Sequence, residues 1–507
     1  MRNILEENQN LKIENQKFKE EVERLKGMLI LMRKEQFGSK SESFKDITQN
    51  QLLFNEIEVE APGALPEQQT ITYTRRKGRQ KKKPFPAHLA REEVIIDLAE
   101  SEKQCPHDGT TLKKIGEEIT EKLKTIPAQM SVVVERKFKY SCPCCESHVV
   151  QAKSNSILPG TIATPEILSF IIFSKFFQSL PLYRLEEFYR LNGIELKRGT
   201  MARWLVQVSE NLMPIWNNLE EKVFESGYMS IDATSVQVLK ERNRAAANKS
   251  FMWVRGSPEK GIVLFDYHVS GGGQVAKGLV TGFKGALQGD AHRGYNALER
   301  ESLLLLGCMM HSRRRFHKAW LLGKKQPGIA ADGLSMFRFL YDKEEDYKTR
   351  GLTPAQRQEW RDKEIAPSLE EIKKWCGWQK EKVLPSSPIG NAVNYFINEY
   401  EELSSFLKDG RYEIDNGWVE RVIKRFAIGR KNWLFSDTIE GAKTSALLYS
   451  LTLTAKLNGK DPFKVMTEIF KQLPQAKTTA DYENLTQLLL SNETPNSCIK
   501  KEGALIR

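Results

Sequence analysis

The sequence predicts a multidomain α+β protein: an N-terminal coiled-coil helix, a small cysteine-bearing β module, a helical region, and an α/β core split by a helical insertion. Three observations carry that prediction. Apolar residues recur in heptads over residues 4–32, four of the seven cysteines lie between Cys105 and Cys145, and at Gly227 helical periodicity gives way to short β-rich runs. At roughly 150 residues per domain, 507 residues fit about three domains. The longest apolar runs, Leu168 to Phe173 and Leu303 to Met310, fall far short of the roughly 20 residues of a membrane helix. The amino terminus has no apolar h-region, so no secretory signal is expected and the cytoplasm is the expected compartment. An odd cysteine count in so long a chain gives no disulfide framework. The net charge of +12 favours an anionic partner, nucleic acid or a membrane surface.

In chain order, residues 1–42 form the coil. Ile4, Leu11, Phe18, Leu25 and Met32 occupy one core position, and Asn8, Asn15, Val22 and Leu29 the other. Buried asparagines at such positions fix register and strand number, which predicts a self-pairing homodimer or higher oligomer over a lone amphipathic helix. Residues 43–92 read as a linker carrying a basic arm: Arg75, Arg76, Lys77, Arg79, Lys81, Lys82 and Lys83, ended by Pro84. Such an arm neutralises phosphates without reading sequence.

Residues 93–152 resemble a zinc ribbon. Cys142 and Cys145 make a Cys-x2-Cys knuckle after a β-like stretch, Ser131 to Tyr140; Cys105 opens the other half-site, where Asp108 stands in the expected cysteine position and His107 lies one residue early. Tetrahedral zinc takes two corners from each tight turn, so either the ribbon holds a structural zinc or it is a decayed, metal-free fold. Residues 153–225 read as helices over Pro165–Phe177, Leu185–Leu191 and Arg198–Leu212. The Asn192-Gly193 break gives a helix-turn-helix outline that ordinary helical bundles share.

Residues 226–320 carry Tyr228–Val238, Phe251–Gly256 and Ile262–Val269 as a three-stranded meander. A helix follows Gly271–Gly273, then a fourth strand ends at Asp290 and a fifth runs over Leu303–Met310. That β-β-β-α-β-α-β order is the ribonuclease-H-like one, whose site uses carboxylates on the first strand, after the fourth, and on a helix after the fifth. Asp232 sits inside an apolar strand, where an unpartnered ion is costly. Asp290 ends its strand. Glu420 lies off the apolar stripe of Trp418, Val422, Ile423 and Phe426, on a helix for which Asp415 is the expected N-cap. Three carboxylates suit hard divalent cations, Mg2+ or Mn2+, and paired metals suit phosphoryl transfer. Glu344 is the competing third acid; basic residues around Glu420 (Arg421, Lys424, Arg430, Lys431), suited to DNA phosphates, favour Glu420. Cys308 is expected to pack in the fifth strand, with His311 in a supporting role near the cleft beside the DNA-binding candidates Arg313 and Arg314. Trp433 is expected in the core.

The chain resembles the large, TnpC-type DDE transposase of the insertion-sequence sixty-six family over nearly its whole length. The likeness rests on QFGSKSE, the cysteine ribbon, ILPGTIATPEIL with LPLYR, LQGDAHRGYN, CMMHSRRRFHKAW and DNGWVERVIKRFAIGRKNWLF. It implies Asp232, Asp290 and Glu420 as the catalytic triad, a helical insertion at 321–411, a second part of the core at 412–475 and a tail at 476–507. It also implies terminal inverted repeats and target DNA as partners, small accessory transposition proteins, and a bacterial nucleoid setting. Other readings are a catalytically silent DNA-binding derivative or a ribonuclease-H-like nuclease such as a resolvase.

Overall fold

A computed structural model describes residues 130–134, 136, 139–141, 149–151, 156–290 and 303–490. The expected coil, the basic arm Arg75–Lys83, and the ribbon residues Cys105, Asp108, Cys142 and Cys145 lie outside this set. The chain divides into two units, Ser41–Ala152 and the remainder. In the first, β1 (Lys139–Ser141) and β2 (Val149–Gln151) pair antiparallel, Tyr140 opposite Val150, and bracket the Cys142–Cys145 segment. The strand expected from Ser131 is shorter: residues 130–134 are exposed and have no regular structure.

The second unit opens with α1 (Pro165–Ile172), where Pro165 suits the first turn and the Thr164 hydroxyl accepts the Ile167 amide at 3.3 Å. A π-helical turn extends it through Phe177. Next come α2 (Leu182–Leu191) and α3 (Arg198–Glu225). Gly193 takes φ +75°, which lets the Ile194 amide return to the Tyr189 carbonyl at 2.9 Å and stops α2. The third helix does not end near Leu212. It continues past Pro214 for 28 residues, because Met201, Leu205, Val208, Leu212, Ile215, Leu219 and Val223 form one continuous buried stripe.

The sheet contains β3 (Tyr228–Lys240), β4 (Lys249–Ser257) and β5 (Ile262–His268), then, after α4 (Gly273–Leu279), β6 (Gly285–Gln288) and β7 (Leu303–Leu306). Spatial order is β5-β4-β3-β6-β7. The meander is antiparallel, and β3–β6 and β6–β7 are parallel. At the base of β3 and β6 two glycines nearly touch: the Ala286 amide donates to Gly227 O at 2.9 Å, and a Cβ on Gly285 would collide with that carbonyl. The fifth strand ends at Leu306, four residues earlier than expected. At Gly307 the chain meets the backbone of Leu403, and its amide donates to Glu402 O at 2.8 Å, turning the chain into a helix.

That helix is α5 (Met309–Leu322). The insertion follows as α6 (Ile329–Arg350), α7 (Pro354–Trp360) with a π-helical turn, α8 (Ala366–Lys380), α9 (Pro388–Asn398) and α10 (Tyr400–Ser404). Its helices pack with α5 around Phe316, Phe337 and Phe396 in a core of their own. Within it Glu344, 3% exposed, accepts from Arg361 Nε at 2.7 Å and Arg357 Nε at 3.0 Å. The competing acid is therefore a buried ion-pair centre.

The chain re-enters the sheet layer with α11 (Gly417–Trp433) and β8 (Ser436–Thr438), which pairs parallel with the far end of β3. Helices α12 (Ile439–Leu457), α13 (Pro462–Gln472) and α14 (Thr479–Leu489) complete the unit; α14, in the segment read as tail, packs on α3. Helix α12 is buried along nearly its whole length and covers the edge strand β5. Ser450 Oγ accepts the Phe265 amide at 2.8 Å, Thr454 Oγ1 accepts the Val263 amide at 3.1 Å, and Asn458 Nδ2 donates to Gly261 O at 3.0 Å. Three side chains spaced four residues apart thus replace a neighbouring strand and close an edge that would otherwise invite pairing. No helix among the described residues is long and apolar enough to cross a membrane.

Candidate active site

The register of β3 and β6 brings the two aspartates together. Ser230 pairs with Gln288, and two residues further along each parallel chain stand Asp232 and Asp290. Alternation places Asp232 on the strand face of Tyr228 and Ser230, opposite the buried Met229 and Ile231. The third acid, Glu420, occupies the first turn of α11.

Asp232 is the electrostatic focus. Burial pushes its carboxyl up to about 7; the charges of Asp290 and Glu420 push the same way, while the Ala233 amide, donating at 2.7 Å, and Arg314 oppose. An acid so poorly solvated, facing two further acids, is a group short of positive charge. Arg314 supplies little of it: its guanidinium is 3.7 Å from Glu420 and 46% exposed. Three carboxylates are a donor set of the kind that suits a hard divalent cation; among the described residues, however, the acids are not drawn into one group of ligand atoms within 4.8 Å.

His311, in the first turn of α5, lies against this group. Its pKa is lowered by burial, with Arg314 and Arg315 acting the same way and Asp290 opposing, so the imidazole is held neutral. Its Nδ1 is buried and has no hydrogen-bond partner among the described residues. The ligand atoms of Cys308, His311 and Glu420 lie within 4.8 Å of one another. Cys308 is not in the strand; it caps α5, and its thiol, pushed up to about 12 by burial, accepts the Asn416 amide at 3.3 Å. A protonated, hydrogen-bonded thiol is a poor metal ligand, so Cys308 acts as packing behind Glu420.

The start of α11 also differs from expectation. Asn416 occupies the N-cap, and Asp415 Oδ1 accepts the Gly417 amide at 2.8 Å as a turn-former. On the same helix Arg421, Lys424 and Lys431 are exposed, whereas Arg430 folds back onto β3, donating to Thr234 Oγ1 at 3.1 Å and to the Ser235 carbonyl. Arg313 and Arg315 lie over the rings of Tyr341 and Tyr395. Trp433 packs edge-on against Phe426. Sequence reasoning missed Asn416, buried to 1%. Its only sequence signal is its position beside Asp415, immediately before the helix.

Residues 160–444, which contain all three acids, match the model described as "Transposase IS66 family". The chain belongs to this family of insertion-sequence transposases. Residues 102–146, spanning Cys105, Asp108, Cys142 and Cys145, match the zinc-finger binding domain of IS66 transposases, so this transposase carries that domain. Residues 24–94, which include the basic arm, match "Transposase C of IS166 homeodomain". Among relatives, the uncharacterized proteins y4qI and y4jD of Sinorhizobium fredii (strain NBRC 101917 / NGR234) are each 29% identical to it. The first match covers 92% of this chain and 88% of the relative, the second 78% and 79%. No solved structure matches. Family membership makes DNA the partner of this transposase and gives it a DNA-acting enzymatic role.

Proposed function

We infer that the chain cleaves the ends of an insertion sequence and joins them to target DNA at a ribonuclease-H-like site formed by Asp232, Asp290 and Glu420. The observation that carries the reading is Asp232: a strand carboxyl pushed up to about 7 by burial and by two further acids, against the opposing pull of the Ala233 amide and Arg314. The spatial strand order, with three antiparallel strands followed by two parallel ones, supports the fold reading. So does the placement of one acid on the first strand, one after the fourth and one on a later helix.

The three carboxylates would hold Mg2+ or Mn2+, which when bound supplies Lewis-acid stabilisation of the attacking and leaving oxygens. This chain's own residues bind and orient. Their anionic cluster would hold the cations, and the exposed Arg421 and Lys424 near Glu420, with Lys431 about three turns further along α11, hold phosphates in register. The neutral His311 offers a hydrogen bond without adding charge. Two in-line displacements follow. Water attacks the phosphorus at the element's end and the bond to the 3′-oxygen breaks; that 3′-hydroxyl then attacks a target phosphorus, expelling another 3′-oxygen. The basic arm would add non-specific affinity, the knuckle a structural zinc, and the N-terminal heptads self-association.

Asp232→Ala, Asp290→Ala and Glu420→Ala, each assayed with Mg2+ on terminal-repeat DNA, test the assignment. Loss of both end cleavage and strand transfer with DNA binding retained is expected. Full activity in any one of them removes that residue from the site.

A further inference from the structure

Asn416 makes one hydrogen bond to each of three elements of the candidate site: β3, which carries Asp232, the cap of α5, which carries His311, and α11, which carries Glu420. Its Nδ2 donates at 3.0 Å to the carbonyl of Ile231, the residue before Asp232 on β3. Its backbone amide donates at 3.3 Å to Cys308 Sγ at the cap of α5, three residues before His311. Its carbonyl accepts the Glu420 amide at 3.2 Å, closing the first turn of α11. The residue is 1% exposed. We propose that Asn416 is the positioning residue that sets the spacing of Asp232 and Glu420 for the metal, an inference that rests on the site reading above.

The reasoning is geometric. Asp232 and Glu420 are far apart in sequence and belong to a strand and a helix, so their separation depends on how α11 seats against β3. An ordinary helix cap would use its side-chain oxygen on the N2 or N3 amide. Asn416 makes no such bond: its amide nitrogen goes to β3, and its Oδ1 is buried with no hydrogen-bond partner among the described residues. The side chain has forgone local capping to tie the helix start to the strand. Residues that orient metal ligands typically change metal affinity or activity roughly 10- to 100-fold when removed.

The test compares Asn416→Ala with the parent across a Mg2+ titration of end cleavage, and measures Mn2+ affinity directly by electron paramagnetic resonance. The expected result is a half-saturating Mg2+ concentration and a Mn2+ dissociation constant each raised roughly 10-fold or more, with affinity for terminal-repeat DNA unchanged. Cys308→Ala removes the other bond that holds Asn416, the one from its backbone amide, and leaves Nδ2 on Ile231, so a smaller shift in the same direction is expected; it serves if Asn416→Ala does not fold. Unchanged metal curves in a folded variant, with rate and thermal stability falling together, would show a merely structural role and overturn the proposal. Asp232→Ala is run alongside. If it retains full cleavage, the site reading fails; if it is inactive while the Asn416→Ala metal curves match the parent's, only the positioning role fails.

Discussion

Replacing Asp232 by asparagine should make the metal-free protein more stable, increasingly so as pH rises. The folded-state carboxyl is raised from 3.8 to about 7, chiefly by burial. Between those values the native state binds more protons than the unfolded chain, so stability falls with rising pH, and the penalty is complete above about 7. At about 1.4 kcal/mol per tenfold change in proton affinity, the ceiling is roughly 4 kcal/mol at pH 8 and a little over 1.5 kcal/mol at pH 5. Asp232→Asn keeps the oxygen that accepts the Ala233 amide and removes the titration. Its advantage over the parent should therefore grow by roughly 2.5 kcal/mol between pH 5 and pH 8. Urea unfolding with a chelator present, followed by tryptophan fluorescence, measures this, since Trp253 lies on β4 beside the site. Added Mg2+ should stabilise the parent at pH 8, because a ligand of the native state shifts unfolding by mass action, and should leave the variant nearly unmoved. An advantage equal at pH 5 and pH 8, or absent at pH 8, would refute the claim that this carboxyl is held in a poorly solvated acidic cluster.

Glu344→Ala should cost about 3–5 kcal/mol in urea unfolding, because Arg361, wholly buried, and Arg357 lose their shared carboxylate. Glu344→Gln, where it folds, should retain end cleavage, since this acid lies in the insertion core. Ser450→Ala or Thr454→Val should cost roughly 1–3 kcal/mol by leaving a buried amide of β5 unpaired, and hydrogen exchange should accelerate at Phe265 or Val263 respectively. Metal analysis of the purified chain should find one tightly held zinc, lost in a Cys142→Ser, Cys145→Ser double variant; a metal-free parent would mark the ribbon as decayed.

The strands were legible because β-branched and apolar runs broken by turn residues need no tertiary information, and Asp232 stood out as an acid inside such a run. Boundaries failed where long-range contacts decide them. Nothing local distinguishes Leu306 from Met310 as a strand end; the approach of Leu403 to Gly307 does. Helix α3 outran its expected end because the buried stripe beyond Pro214 packs on α12 and α14, elements too distant in sequence to weigh. The row Ser450, Thr454 and Asn458 was present in the sequence at four-residue spacing. Its meaning depends on an edge strand nearly 200 residues earlier.

The insertion poses the sharper question of how a helix that follows many inserted residues places its glutamate so closely. The answer lies in its last residues. Glu413 N donates to the Tyr228 hydroxyl at 3.1 Å, Gln288 Nε2 donates to Glu413 O at 2.7 Å, Met309 N donates to Ile414 O at 3.2 Å, and Asn416 bonds Cys308 and Ile231. Three of the four residues from Glu413 to Asn416 are thus laced to β3, to β6 and to the start of α5, the three elements that present Asp232, Asp290 and His311. Arg357 and Lys348 hold the Glu413 carboxylate from the insertion side. The reach and internal shape of the insertion then matter little to the position of Glu420, because its return segment is docked on the sheet before α11 begins. Helices could be added to or lost from the insertion without moving the acid, provided that Glu413 to Asn416 keep their partners.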